Sequence, residues 1–251
     1  MRRAILLFAA VAPLITLLLW STSAVAALGI LMLSHALLLY PTLVANAQWL
    51  GPVMTRFETG QRELWLTIDD GPADDTPVVL DVLERLGVQA TFFVKGILTE
   101  KRADFAREIV RRGHTLGNHS WSHPSATFWC LLPSAVRRQV ERCNDAIAAI
   151  TSSAPRCFRA PVGMKNPAVH PVLKRHGMTL VGWSARGFDS TTDDPEVVLR
   201  RVLPDVRPGA IVLLHQGRAS SARIIERTVI ELQKLGYSFV VPDAGRLKTN
   251  R

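Results

Sequence analysis

What the first fifth of this chain lacks is charge. From Ala4 to Ala47 there is no Asp, Glu, Lys or Arg. That absence excludes a solvated surface helix, and the run is long enough for two membrane helices of about 20 residues each. Cysteine is scarce as well. Cys130, Cys143 and Cys157 are odd in number and have no CxxC spacing. This argues against a disulfide framework or a cysteine zinc site and leaves buried free thiols. Acids are outnumbered, 21 Asp+Glu against 30 Lys+Arg, for a net charge of +9. Arg2 and Arg3 are the only bases in the first 50 residues, so the rest of the chain holds 28 bases against 21 acids. The excess is spread over faces such as Arg107, Arg111, Arg112, Arg137 and Arg138. It reads either as a solvated basic surface or as attraction to anionic lipid headgroups. No aromatic-basic interleaving and no nucleic-acid motif is present, so nucleic acid is not an expected partner.

Three readings of the apolar run compete. Residues 4–20 and 25–46 can form a two-span hairpin broken near Ser21-Thr22-Ser23. Arg2, Arg3, Arg56 and Arg62 then share the cytoplasmic side, as the positive-inside rule prefers. Alternatively, residues 1–26 are a cleaved signal peptide, with Ala24-Val25-Ala26 as the small-x-small site. In the third reading one span crosses and the domain faces outward. The expectation is a retained anchor over residues 1–48, of one or two transmembrane helices, in a bacterial inner membrane. The side on which the remainder lies stays open. His35, inside the run, is expected as a neutral side chain packed between helices.

Residues 49–61 read as a linker, and from about Glu63 strand and helix patterns alternate. Leu64-Trp-Leu-Thr-Ile68 and Thr91-Phe-Phe-Val94 are short apolar runs of strand formers. Further strands are expected near 115–118, 156–159, 179–183, 210–214 and 238–241. Thr76-Pro77 opens a helix that stops at Gly87, Thr capping and Pro fitting the first turn. Other helices are expected over 100–112, 134–150, 167–176, 195–203 and 221–235. Strands separated by helices indicate a parallel α/β sheet with crossover helices. Seven or eight such units in about 190 residues suggest a barrel rather than an open sheet.

The chemistry-bearing residues cluster at predicted strand ends, which form the active face of a parallel barrel. Asp69 and Asp70 end the first strand. Neighbours on a strand point in opposite directions, so the two need not share a role. Asp-Asp-Gly is also an ordinary turn. His119 and His123 lie at i and i+4, on one face if the segment is helical, and with a carboxylate make a two-His, one-carboxylate metal site. His215 ends Ile211-Val-Leu-Leu-His215 and is a candidate general acid or base. Arg159 ends another strand, where a guanidinium could fix a carboxylate.

Five segments in order resemble the motifs of the polysaccharide deacetylase family, the NodB-homology carbohydrate esterases of family 4. They are Thr67-Ile-Asp69-Asp70-Gly71, His119-Ser-Trp-Ser-His123, Arg159-Ala-Pro161-Val162-Gly163, Trp183 to Asp189, and Leu213-Leu214-His215. The resemblance spans about residues 62–243 and leaves 244–251 as a polar tail. It implies a distorted (β/α) barrel and a hydrolase that removes an N-acetyl group from an amino sugar. It further implies Asp69 as catalytic base, His215 as catalytic acid, Arg159 orienting Asp69 and Asp189 tuning His215. Asp70, His119 and His123 would bind a divalent metal, by default zinc, with Co²⁺, Ni²⁺ or Mn²⁺ also suited to such ligands. The Val162 amide would help hold the oxyanion, and Trp183 and Leu213 would line the acetyl pocket.

Three positions depart from the family pattern. Val162 and Ser190 stand where aromatic residues are common, and Arg186 where an acid is common. These departures weigh against a polymer such as chitin or peptidoglycan. Thr127-Phe-Trp-Cys-Leu-Leu-Pro133 is apolar beside the metal histidines. It reads either as core or as a lip on the bilayer that admits a lipid-linked N-acetylated sugar. A deformylase or deacylase of a lipid-linked sugar or small amide, and a catalytically silent sugar-binding barrel, remain the alternative readings.

Overall fold

A computed structural model describes residues 1–243 and 245–247; the rest of the 244–251 tail lies outside the described residues. The uncharged run forms α1 (Arg2–Leu19) and α2 (Ala24–Leu43), which fold back on each other across a turn at Trp20–Ser23. Ser23 caps α2 by accepting from the Ala26 N–H at 3.3 Å. Both helices are long and apolar enough to cross a membrane. His35 is not packed between them: it faces outward, with Nδ1 2.8 Å from the Leu31 carbonyl.

The remainder follows in the order β1 (Glu63–Gly71), α3 (Thr76–Arg85), β2 (Thr91–Val94), α4 (Gly96–Lys101), α5 (Ala103–Arg111), β3 (Thr115–Asn118), α6 (Pro133–Thr151), β4 (Cys157–Phe158), α7 (Val169–Arg175), β5 (Thr179–Leu180), β6 (Ala185–Arg186), α8 (Pro195–Val202), β7 (Ile211–His215), α9 (Ser221–Lys234) and β8 (Ser238–Phe239). The expected single helix over 100–112 is divided at Arg102, whose φ of −129° is not helical. Thr76 is not a cap but the first helical residue. Its hydroxyl accepts from the Ala73 N–H and donates to Gln216 Oε1.

All strand pairs are parallel, in the order β5-β4-β3-β2-β1-β7-β6, and β8 pairs only with the start of β1. The curled sheet is the distorted barrel expected, left open between β5 and β6, its edges among the described residues. Residues 49–61 do not behave as a free linker. Leu50, Val53, Met54 and Phe57 are buried, and the segment bridges from Val181, just past β5, to Ala210, just before β7. Met54 N–H donates to Leu180 O at 2.9 Å, and Gly182 N–H to Met54 O at 2.7 Å. This stretch satisfies backbone groups that a closed barrel would pair strand to strand.

The outer core lies between the sheet and helices α3, α5, α6, α8 and α9, with Leu66, Ile68, Phe92, Val212 and Leu214 on the sheet side. Cys143 and Cys157 are buried free thiols as expected, and burial pushes both up to about 12. Cys130 departs from that expectation and is exposed.

Both ends of the hairpin meet the loop after β4. Arg2 Nη2 donates to Pro167 O at 3.1 Å. Lys165 Nζ donates to Val44 O and Ala45 O, each at 2.7 Å, and its backbone N–H to Thr42 O at 2.8 Å. Asn46 Nδ2 donates to Trp183 O at 2.8 Å.

Gly209 tests how much the bridging segment matters. It has φ +78°, and a Cβ there would lie 2.2 Å from the Phe57 carbonyl oxygen. Gly209→Ala should destabilise the protein by about 2 kcal/mol or more in denaturant titration in detergent. Gly60→Ala, with open space around it, should be near neutral. Equal midpoints for the two variants would show that the segment does not hold the fold.

Candidate active site

The sheet's inner face is a row of polar residues above an apolar floor. Asp69 pairs in register with His215 on β7, and Thr67 pairs with Leu213. Because β1 and β7 are adjacent parallel strands, Asp69 and His215 sit at one level about 4.8 Å apart in backbone terms. Arg159, just past β4, reaches across to them. Its Nη1 donates to Asp69 Oδ1 at 2.7 Å and to Thr67 Oγ1 at 2.9 Å. Nη2 donates to Gly182 O at 2.8 Å, and the guanidinium lies 4.2 Å from the Phe93 ring centre. Arg159 is only 1% exposed, and burial lowers its pKa against the opposing pull of Asp69.

Asp70 does not simply point away from Asp69, as strand alternation predicts. The β1–β2 register shifts between Asp69 and Gly71, and Asp70 adopts φ +78°. This turns its carboxylate toward the same histidine. His119 Nε2 stands 3.6 Å from Asp69 Oδ2 and 3.9 Å from Asp70 Oδ1. His123 Nε2 stands 3.7 Å from Asp70 Oδ1. The two histidines are not helical neighbours. Residues 119–123 form an irregular loop with Ser120 at φ +67° and His123 at φ +53°, and this loop folds the two rings to 4.6 Å.

One ligand atom each from Asp70, His119 and His123 lies within 4.8 Å of the others. Metal bonds of roughly 2.0–2.2 Å place donors about 3.5 Å apart, so the set needs only a small contraction. The donor chemistry fits as well. His119 Nδ1 lies 2.8 Å from Arg159 O, and a carbonyl can only accept, so the proton is on Nδ1. Nε2 is then the atom turned toward the two carboxylates, an arrangement that a cation between them stabilises. Burial would raise the Asp70 pKa, but the charges of His119, Lys95 and His123 outweigh it and bring it down to about 2. Burial, with His119 beside it, lowers His123 to about 4, so the imidazole is neutral and able to ligate near neutral pH.

On the other side Asp189 grips His215 twice. His215 Nδ1 donates to Asp189 Oδ1 at 2.8 Å, and its backbone N–H donates to Oδ2 at 2.6 Å. Burial alone would lower the His215 pKa. The hydrogen bond and charge of Asp189, with Asp69 and Asp70 beyond it, raise it overall.

The remaining expected residues surround this centre. Leu213 is buried on the inner row. Val162 lies in the turn after β4 with φ +47°, rare for a β-branched residue. Trp183 packs so closely on that turn that a Cβ on Gly163 would meet its Cη2 at 2.6 Å and Ala45 Cβ at 2.5 Å. Of six non-glycine residues with positive φ among those described, Asp70, Ser120, His123, Val162 and Phe188 belong to this face and only Ser152 does not. Such strain collects where side chains are held for a task.

Sequence reasoning missed Lys95, whose Nζ lies 2.9 Å from Asp70 Oδ1. Its position just after β2, at a strand's C-terminal end, was the available signal. In the apolar stretch 127–133 Phe128 is wholly buried, whereas Leu132 is 73% exposed. A cavity of about 350 Å³ lined by Trp65, Thr91 and His114 opens at the opposite end of the sheet and, among the described residues, gathers no ligand set.

Comparisons with known proteins agree on one family. The polysaccharide deacetylase family model matches residues 57–181. The peptidoglycan-N-acetylglucosamine deacetylase of Listeria monocytogenes is 33% identical over 193 residues, 76% of this chain but 40% of the relative's own length. This chain thus spans well under half of that protein. A chitooligosaccharide deacetylase of Sinorhizobium fredii is 36% identical over 192 residues, 72% of this chain and 86% of the relative. A crystal structure of a mutant CE4 family pseudoenzyme with restored enzymatic activity aligns at 30% identity and a TM-score of 0.68, covering 76% of this chain and 70% of that one. With its five motifs converging on one face of a curled parallel sheet, the chain belongs to the polysaccharide deacetylase family.

Proposed function

We propose that the protein is a metal-dependent hydrolase that removes the N-acetyl group from an amino sugar, releasing acetate, at a membrane surface. One observation carries the reading. The Arg159-held Asp69 and the Asp189-held His215 face each other in register beside a three-ligand cluster. A silent sugar-binding barrel would not need a paired acid and base there. The retained hairpin is supported by its docking on the domain at both ends. In this topology Arg2 and residues beyond 44 lie on one side of the membrane, the cytoplasmic side by the positive-inside rule.

An amide is a poor electrophile. A divalent ion held by Asp70, His119 and His123 would supply Lewis acidity to the acyl carbonyl and to water. Asp69 takes the proton from the attacking water. Arg159 occupies its Oδ1 and leaves Oδ2 facing the cluster. The Val162 N–H steadies the oxyanion. His215, with Nδ1 committed to Asp189, donates from Nε2 to the departing amine. The C–N bond breaks, and the products are a carboxylate and a free amino sugar. Trp183 and Leu213 bound the acyl methyl. A formyl group would meet the same constellation, and assaying acetate against formate release separates the two.

The deciding experiment is acetate release from a panel of N-acetyl sugars by the metal-loaded, detergent-purified protein. Asp69→Asn and His215→Ala should each lower turnover by at least about a hundredfold while the protein retains its metal. A dipicolinate-stripped sample should be inactive and regain turnover with Zn²⁺ or Co²⁺. Near-normal rates in either variant, or after stripping, would overturn the assignment.

The pH profile follows from the raised His215 pKa. The acid form persists above the ordinary histidine value of about 6.5 and is lost as pH climbs through the raised one. The alkaline limb of kcat should therefore lie above about pH 6.5. Asp189→Asn removes the raising charge and leaves the burial, so that limb should move to lower pH. An unmoved limb would show that His215 is not the titrating acid.

A further inference from the structure

Arg186 is the one charged residue on the inner row without a partner in the reaction scheme. Its strand β6 pairs with β7 in the register Arg186 to Leu213, and Leu213 pairs with Thr67. Arg186 therefore points to the same side of the sheet as Arg159's target Asp69. Each acid of the site is already matched: Asp69 by Arg159 at 2.7 Å, Asp70 by Lys95 at 2.9 Å, Asp189 by His215 at 2.8 Å. Among the described residues Arg186 forms no ion pair, and its Nε is buried without a hydrogen-bond partner. Burial weakens its proton affinity and Asp189 restores part of it.

The guanidinium is nonetheless well placed. It stacks 4.9 Å from the Trp183 ring centre and 4.6 Å from that of Phe188. Phe188 is 47% exposed and held at φ +51°, so the pair forms the rim of the site. Aromatic faces on a guanidinium leave its in-plane N–H fork free for a bidentate acceptor. A charge kept partly desolvated and unmatched beside the candidate site is costly unless the substrate supplies the counter-ion.

We infer that Arg186 is a specificity residue that binds a phosphate group carried by the amino-sugar substrate. The inference rests on the deacetylase reading of the same site. Phosphate is favoured over a neutral glycan because the fork matches its paired oxygens. The docked hairpin, with Val44 and Ala45 against the loop next to Trp183, makes a lipid phosphodiester a natural source of it. A soluble sugar phosphate offers the same chemistry.

Calorimetric binding tests this apart from turnover, using the metal-loaded Asp69→Asn protein in detergent. N-acetylglucosamine 1-phosphate should bind about ten- to hundredfold more tightly than N-acetylglucosamine, the range a charge-assisted fork contributes. Adding Arg186→Gln should collapse that ratio toward one, and Arg186→Lys should restore part of it. A polyprenyl-phosphate-linked N-acetylglucosamine that binds more tightly still identifies the lipid source; parity with the soluble phosphate identifies the free one. Equal affinity for phosphorylated and neutral sugars, or a preference that survives Arg186→Gln and Arg186→Lys alike, overturns the inference. Phosphate preference without turnover in the parent protein would instead sink the deacetylase reading and leave only the phosphate binding by Arg186 in place. Thermal midpoints of the Arg186 variants separate lost binding from lost fold.

Discussion

The buried guanidinium of Arg159 is the constraint on which the rest depends. It is desolvated among β1, β2, β4 and the segment after β5, and its neighbours meet its charge with acceptors and an aromatic face. Thr67 and Asp69 belong to β1, the carbonyls of Val181 and Gly182 follow β5, and the Phe93 ring belongs to β2. Its own carbonyl orients His119. Leaving a buried ion without its partner costs about 3–5 kcal/mol, so the acid, the histidine and the strand spacing are secured together. Loss of Arg159 would therefore act on stability as well as on the chemistry.

That constraint also explains why the sheet can remain open. A closed barrel is held by strand pairing all round. Here β5 and β6 are not joined, and the hydrogen bonds of Arg159 to residues 181 and 182 tie the β5 edge to β1 through side chains. The Met54 to Phe57 segment takes the backbone groups left over. The opening gives Trp183, Arg186 and Phe188 a rim that no closed barrel would have.

Much of this was legible in the chain. Strands β1, β2, β3 and β7 stand where apolar runs bounded by turn residues placed them, and the residues of all five motifs meet on one face. What failed did so for a physical reason. A spacing of four between His119 and His123 suits a helix, but two left-handed residues give the same convergence from a loop, and periodicity cannot see single φ angles. β6 is two residues long and carries no period. The 49–61 segment reads as a linker, yet Leu50, Val53, Met54 and Phe57 within it are buried against the gap in the sheet, a need that only the three-dimensional edge creates. Asp69 and Asp70, adjacent and chemically alike, were separable by alternation but not by direction. The bulge brings both to His119 and leaves Arg159 to distinguish them.

The hairpin's attachment carries the same logic outward. Lys165 is almost wholly buried, and burial lowers its pKa to about 8, yet its ammonium meets only the carbonyls that leave the end of α2. Val44 caps the C-terminus of α2 and Ala45 follows it, so the ammonium sits just past the negative end of the helix, where a cation is favoured. Lys165 also lies three residues beyond Val162, and Asn46 holds the carbonyl of Trp183. A tether that served only to keep a soluble enzyme near a membrane would need no such contacts; a flexible linker would suffice. Here the end of the apolar hairpin sets the turn after β4 and the tryptophan beside it. The end of the apolar hairpin is thus part of the wall of the candidate site, with Ala45 against Gly163 and Asn46 on the Trp183 carbonyl.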